Sequence, residues 1–187
     1  GVVTTLAGTG SGGFSGDGGR ATEAELRGPS GVAVAGDGTV YIADTRNNRI
    51  RVVAPGGAID TLRWTTPAGD VSFLLSAPAH IIVDPATHAL YVAEYSGQRV
   101  RKIEAGAVAT VAGNGERMVW SSDAGDGGPA LLAHLNAPEG IAMCDGRLYV
   151  ADTSNALIRM ITPDGWIDSV AGNGQVQGAA GDGALAR

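Results

Sequence analysis

The sequence predicts an all-β fold, a β-propeller of four-stranded blades, on three observations. One two-strand unit occurs three times, at Val40–Val53 (VYIADTRNNRIRVV), Leu90–Ile103 (LYVAEYSGQRVRKI) and Leu148–Ile161 (LYVADTSNALIRMI). Each copy is an apolar-aromatic run, an acid, a polar turn and a second run with an arginine, and such self-similarity marks a repeat architecture. Each copy also follows an apolar run (Gly31–Gly36, His80–Pro85, Gly140–Asp145) and precedes a β-branched one (Ile59–Trp64, Val108–Gly113, Ile167–Gly172). Four short strands repeated in this way describe a propeller blade. Finally, 30 glycines in 187 residues cluster between the apolar runs, where they supply tight turns.

Taken in order, Val2–Gly8 (VVTTLAG) matches the fourth strand of a unit and reads as the outer strand of a preceding blade. Thr9–Pro29 is a glycine-rich insert whose GDGG suits neither strand nor helix, while Arg20–Leu26 favours about two helical turns through Ala, Glu and Leu. Three blades follow at about Pro29–Trp64, Pro78–Gly113 and Pro138–Gly172. The almost wholly apolar first strand of each is expected to be covered on both faces. The insert returns at Asn114–Pro138, with GDGG at Gly125–Gly128 and Pro129 placed to open a short helix, and starts again at Asn173–Arg187. The middle insert, Arg63–Pro78, is shorter and has no GDGG. Closed propellers need about 4–8 blades, and three leave apolar blade faces uncovered. Either the sequence is a piece of a longer chain or two copies close into a ring, and both ends inside a repeat, with no initiator Met or signal peptide, favour the longer chain.

Composition narrows the function. Hydrophobic residues make up 44% and charged residues 17%, a globular balance with a net charge of −6. That charge argues against a nucleic-acid backbone as partner. No apolar run approaches the about 18 residues of a membrane span. Cys144, the single cysteine, excludes an intrachain disulfide and reads as a small buried hydrophobe at the end of GIAMC.

Together PSGVAV, VYIADTRNNRIR, TVAGNG and GFSGDGGRATEAEL resemble the NHL-repeat β-propeller family, in its bacterial and extracellular-type subset with GDGG inserts. The resemblance covers nearly the whole chain and implies a six-bladed ring. It implies a non-catalytic scaffold in a larger protein, binding proteins or ligands through top-face loops and GDGG inserts. The alternative is a fragment of a propeller enzyme of metal-dependent lactonase or amidating-lyase type. RNA binding, as in some NHL proteins, needs a basic top face. An extracellular or other non-cytosolic compartment goes with the subset. Departures from the pattern are Glu94-Tyr95-Ser96-Gly97, His80 where the other repeats carry Gly31 and Gly140, and Ala156-Leu157.

Asp44, Glu94 and Asp152 end the second strands. Recurrence in every blade makes them structural acids, capping the following turn and pairing with Arg51, Arg101 and Arg159, in preference to a ligand-binding ring. Asn47, Asn48, Gly97 and Asn155 fit left-handed turn positions. Asp17, Asp126 and Asp182 lie in the GDGG loops. Ca²⁺ ligation and a structural Asx turn both stand, and about one acid per loop without D-x-D-x-D-G spacing favours the turn. Otherwise nothing calls for a cofactor. His80 opens an inner strand, where related six-bladed enzymes place metal or acid-base groups, but its equivalents Gly31 and Gly140 supply no second ligand and favour a lone packed or solvated histidine. His88 and His134, in a turn and a surface helix, complete no zinc set. No nucleophile elbow, P-loop or Rossmann fingerprint is present. Trp64, Trp120 and Trp166, on an outer strand, an insert and a turn, serve blade packing or contact patches.

Overall fold

The computed structural model describes residues 1–65, 71–72, 74–117 and 124–174. Three antiparallel meanders succeed one another. The first contains β1 (Gly31–Val34), β2 (Val40–Asp44), β3 (Arg49–Val53) and β4 (Ile59–Thr61). Two short strands follow, β5 (Trp64–Thr65) and β6 (Val71–Ser72). The second meander is β7 (Pro78–Val83), β8 (Leu90–Glu94), β9 (Arg99–Glu104) and β10 (Ala107–Ala112). After β11 (Gly128–Pro129) comes the third: β12 (Pro138–Cys144), β13 (Arg147–Asp152), β14 (Leu157–Ile161) and β15 (Trp166–Ala171). Strands β1, β7 and β12 pack side by side as the inner strands of three blades, giving a partial β-propeller.

The central hairpins share one register, with Val40 opposite Val53, Leu90 opposite Ile103 and Leu148 opposite Ile161. Side chains alternate across a strand, so this register puts each blade's acid and arginine on the same face. The inserts also obey one rule. Among the described residues, the insert before each of the three blades pairs with the outer edge of the blade that follows it. Thus β5 joins β10, β11 joins β15, and Arg20 bridges to Ala58 beside β4. This covers outer edges that would otherwise offer unpaired backbone.

Three apolar clusters fill the spaces between units. Ala21 and Ala24 of the first insert pack on Val40, Ile42, Val53 and Ile59 of the first blade. Ala43 and Ile50 meet Ile81, Leu90, Val92 and Ile103 between the first and second blades, with Trp64 and Leu75 from the insert. Ala93, Val100 and Ala112 meet Ile141, Leu148, Val150, Ile161 and Ile167 between the second and third, with Ala130, Ala133 and Leu135.

Several expectations need correction. Val2–Gly8 forms no strand. Gly8 and Thr9 donate to the carbonyls of Ala21 and Ala24 as Gly113 and Asn114 donate to those of Ala130 and Ala133, so the segment takes the place of a blade's outer strand. It has no strand beside it to pair with, and Val2 and Val3 are exposed. The helix expected over Arg20–Leu26 is a single 3-10 turn, Ala21–Glu23, because both flanks bond to other segments, as the Ala21 N–H does to the Gly57 carbonyl. The third insert likewise has a 3-10 turn, Ala130–Leu132, after Pro129. Trp64 begins β5 instead of ending the outer strand, and Trp166 begins β15. His134 lies in no helix, and its ring bonds Asn114. Cys144 is exposed, because it ends β12 on the face turned away from the second blade. The first inner strand is not covered on both faces, since Val32 is 61% and Val34 63% exposed. Left-handed backbone falls at Asn48, as expected, and at Gln98 and Ala156, one residue after Gly97 and Asn155.

Candidate functional site: the acid–arginine clasps

Each hairpin carries its acid and arginine to the face against which an insert packs. In the first blade Asp44 and Arg51 are fully buried. The Asp44 carboxylate accepts the Arg27 N–H at 2.7 Å and the Asn47 side-chain amide at 2.8 Å, with the Arg51 guanidinium 3.8 Å away. Arg51 reaches onward. It donates to Asp17 of the GDGG loop at 2.8 Å, to the Ser15 carbonyl at 3.0 Å and to the Glu25 carbonyl at 3.2 Å. Thr61 also donates to Asp17, at 3.0 Å. Phe14 caps the assembly from outside, with the Arg49 guanidinium 3.6 Å from its ring centre, a cation–π contact.

The third blade repeats the design. Asp152 accepts from the Asn136 N–H (2.7 Å), Asn155 (2.9 Å) and Arg159 (3.2 Å). Arg159 then holds Asp126 at 2.7 Å and the Ala124 carbonyl at 3.1 Å. The acids therefore do not cap their own turns through backbone N–H groups. They fasten the incoming insert, and the turn amides of Asn47 and Asn155 and the arginines of the second strand join them from the hairpin. This is what a guanidinium fork does well: one fixed plane of donors satisfies a carboxylate on one side and carbonyls on the other.

The second blade has a reduced form. Glu94 accepts the Ser76 N–H at 2.6 Å and lies 3.6 Å from Arg101. Arg101 is 21% exposed at its side chain and, among the described residues, pairs with no insert carboxylate. The short insert carries no GDGG to supply one. Burial raises the pKa of both Glu94 and Asp152, outweighing the opposing hydrogen bonds and arginines.

The remaining candidates do not converge. His80 sits opposite Ala93 beside an irregularity in the β7–β8 pairing, and its Nδ1 is buried without a hydrogen bond among the described residues. Gly31 lies so close to β7 that a Cβ there would stand 2.9 Å from the His80 Cα. Asp182 and Trp120 lie outside the described residues. Among the described residues no three His, Cys, Asp or Glu side chains gather as a metal site, and no helix is long and apolar enough to cross a membrane.

The sequence profile of the Teneurin NHL domain matches residues 9–54 and 56–181, nearly the whole chain. This chain belongs to the teneurin NHL family. It is 31% identical over 188 residues to Teneurin-1 of Gallus gallus, covering 92% of this chain and 7% of the relative. It is 34% identical over 167 residues to Teneurin-m of Drosophila melanogaster, covering 83% and 6%. The teneurin NHL chain thus spans a small part of the length of its curated relatives. Among solved structures it is similar to an auxiliary nutrient binding protein from Bacteroides thetaiotaomicron, with a TM-score of 0.62 at 15% identity, over 80% of this chain and 37% of that one. That likeness is one of fold.

Within this teneurin NHL chain, sequence reasoning missed the pairing of Arg51 with Asp17 and of Arg159 with Asp126. A signal for it was present. The two repeats preceded by a GDGG loop are those whose arginines hold an insert aspartate, and among the described residues the repeat preceded by the short insert shows no such pair.

Proposed function

We propose that this chain is a non-catalytic binding module of a larger protein, recognising partners through its GDGG inserts and top-face loops. One observation carries the reading: the buried acids and arginines are spent on clasping inserts to blades. Each buried arginine is shared between a hairpin acid and an insert aspartate, which makes these groups good rivets for a displayed surface. The inserts bury their alanines and expose Phe14 and Leu132. Scattered apolar groups on a rigid polar surface are what partner recognition uses. Partners include the further blades of the six-bladed ring that the family resemblance implies, and the compartment is extracellular or otherwise non-cytosolic.

Photo-crosslinking tests this reading. A benzophenone amino acid at position 14 or 132 of the longer parent protein, on cells that bind it, is expected to give discrete adducts. Excess wild-type protein should abolish them, and a Phe14→Ser, Leu132→Ser variant should not. Absence of a competable adduct, or equal competition by the variant, overturns it.

A further inference from the structure

Strand pairing sets a hydroxyl beside each clasp arginine: Arg51 lies opposite Thr61, Arg101 opposite Thr110 and Arg159 opposite Ser169. In the first blade the two donors act together. One oxygen of the Asp17 carboxylate accepts from Arg51 Nη2 at 2.8 Å and from Thr61 Oγ1 at 3.0 Å, and the other faces the exposed Arg63 at 3.7 Å. In the third blade Arg159 Nη2 holds Asp126 at 2.7 Å, while Ser169 Oγ is buried with no hydrogen bond among the described residues. Arg51 and Arg159 thus each serve two carboxylates, one from the hairpin and one from beyond it. The second blade presents the same donors to one carboxylate. Arg101 Nη1 is 3.6 Å from Glu94 Oε2, longer than a hydrogen bond. Among the described residues neither the Arg101 guanidinium nor the Thr110 hydroxyl makes a hydrogen bond. The guanidinium is also within reach of solvent, with its side chain 21% exposed against 0% for Arg51 and Arg159. Glu94 behind it is held in place by the Ser76 N–H.

We infer that Arg101 and Thr110 form a binding site for a carboxylate brought from outside the chain, with the guanidinium as the charged donor and the hydroxyl as the second. This donor pair is the one that holds a carboxylate oxygen in the first blade. The planar fork matches a carboxylate, and bonds to an ionised acceptor are the stronger kind. Charge sets the ligand class. One more carboxylate brings Arg101 to the two acids that Arg51 and Arg159 already serve. A dianion would place three negative charges on one guanidinium. The site lies in the blade whose insert has no GDGG, so it stands or falls separately from insert-mediated recognition.

The test is NMR of the nitrogen-15-labelled chain, read at the Arg101 Nε–Hε group and the Thr110 backbone amide. Sodium chloride is replaced stepwise by sodium acetate at constant ionic strength, and the peptide N-acetyl-Gly-Asp-Gly-Gly-amide is titrated in parallel. Both signals should shift saturably, with half-saturation at about 10 mM or below for two hydrogen bonds, one of them charge-assisted. The exposed Arg147 should show no saturable shift. Arg101→Lys keeps the charge and loses the fork, and should weaken the Thr110 response at least tenfold. Should that variant misfold, Thr110→Val, which removes only the hydroxyl, should weaken it at least threefold. A peptide that binds more tightly than acetate assigns the site to an acidic side chain of a partner, and one that binds equally or less tightly assigns it to a small free carboxylate; either supports the site. Absence of a saturable shift with both probes, equal saturation at Arg147, or wild-type titration by the folded variants overturns it. Asp70 belongs to the short insert, outside the described residues. A tenfold tighter acetate titration in Asp70→Asn identifies that acid as the occupant and overturns the proposal, whereas an unchanged one supports it.

Discussion

Three arginines at one repeat position do graded work. Arg51 and Arg159 are fully buried and each joins a hairpin acid to an insert aspartate and to insert carbonyls. Arg101 meets Glu94 and stays partly in water. Removing one partner of a buried pair leaves an uncompensated charge, which costs about 3–5 kcal/mol. Arg51→Met and Arg159→Met are therefore expected to lose that much in urea unfolding. Arg101→Met should lose about 1–3 kcal/mol, the cost of one unsatisfied buried acceptor. Equal losses at all three positions would show that the insert contacts contribute nothing. The pairing of acid with arginine was legible in the repeated hairpin. Asp17 and Asp126 looked like loop residues or calcium ligands because their partners lie 34 and 33 residues away, beyond any local pattern.

At the scale of elements, legibility follows locality. The hairpins were readable because alternation, an acid and a short turn specify them within about fourteen residues, and tertiary packing agrees with that pattern. The inserts were not. Ala21 and Glu23 have helix propensity, but the segment's N–H and C=O groups bond to Gly8, Thr9 and Gly57, so one 3-10 turn remains. Val2–Gly8 has the composition of a strand without a neighbour to make it one. The inner strands show what close approach demands. A Cβ on Gly31 would lie 2.6 Å from the Ala79 carbonyl and 2.9 Å from the His80 Cα, contacts with backbone that cannot rotate away. Gly31→Ala is expected to cost about 1–3 kcal/mol by forcing β1 from β7. Gly36→Ala, which meets nothing within 4 Å, should change stability by less than about 0.5 kcal/mol. Thermal unfolding of the two variants side by side decides whether packing at the axis is as tight as the geometry requires.

At the scale of the molecule, the two end faces carry the same side chains that are sealed inside. Val32 occupies the place of Ile81 and Ile141 on the face that meets the preceding unit, yet it is 61% exposed where they are 1% and 5%. Ile158 occupies the place of Ile50 and Val100 on the opposite face, and is 39% exposed where both are 0%. A blade covers these positions wherever two blades meet, so in the longer protein further blades should cover Val32 and Ile158. Val32→Asp should then be nearly neutral in the 187-residue chain, within about 0.5 kcal/mol, because the carboxylate stays in water. In the longer parent the same change puts a carboxylate into an apolar interface and should cost about 3 kcal/mol or more. Ile81→Asp serves as the reference, since it should unfold either form. The comparison needs only melting curves of the two lengths with and without each change. Neutral behaviour of Val32→Asp in both lengths would mean that this face stays open to solvent or to a partner, and that no further blade packs against it.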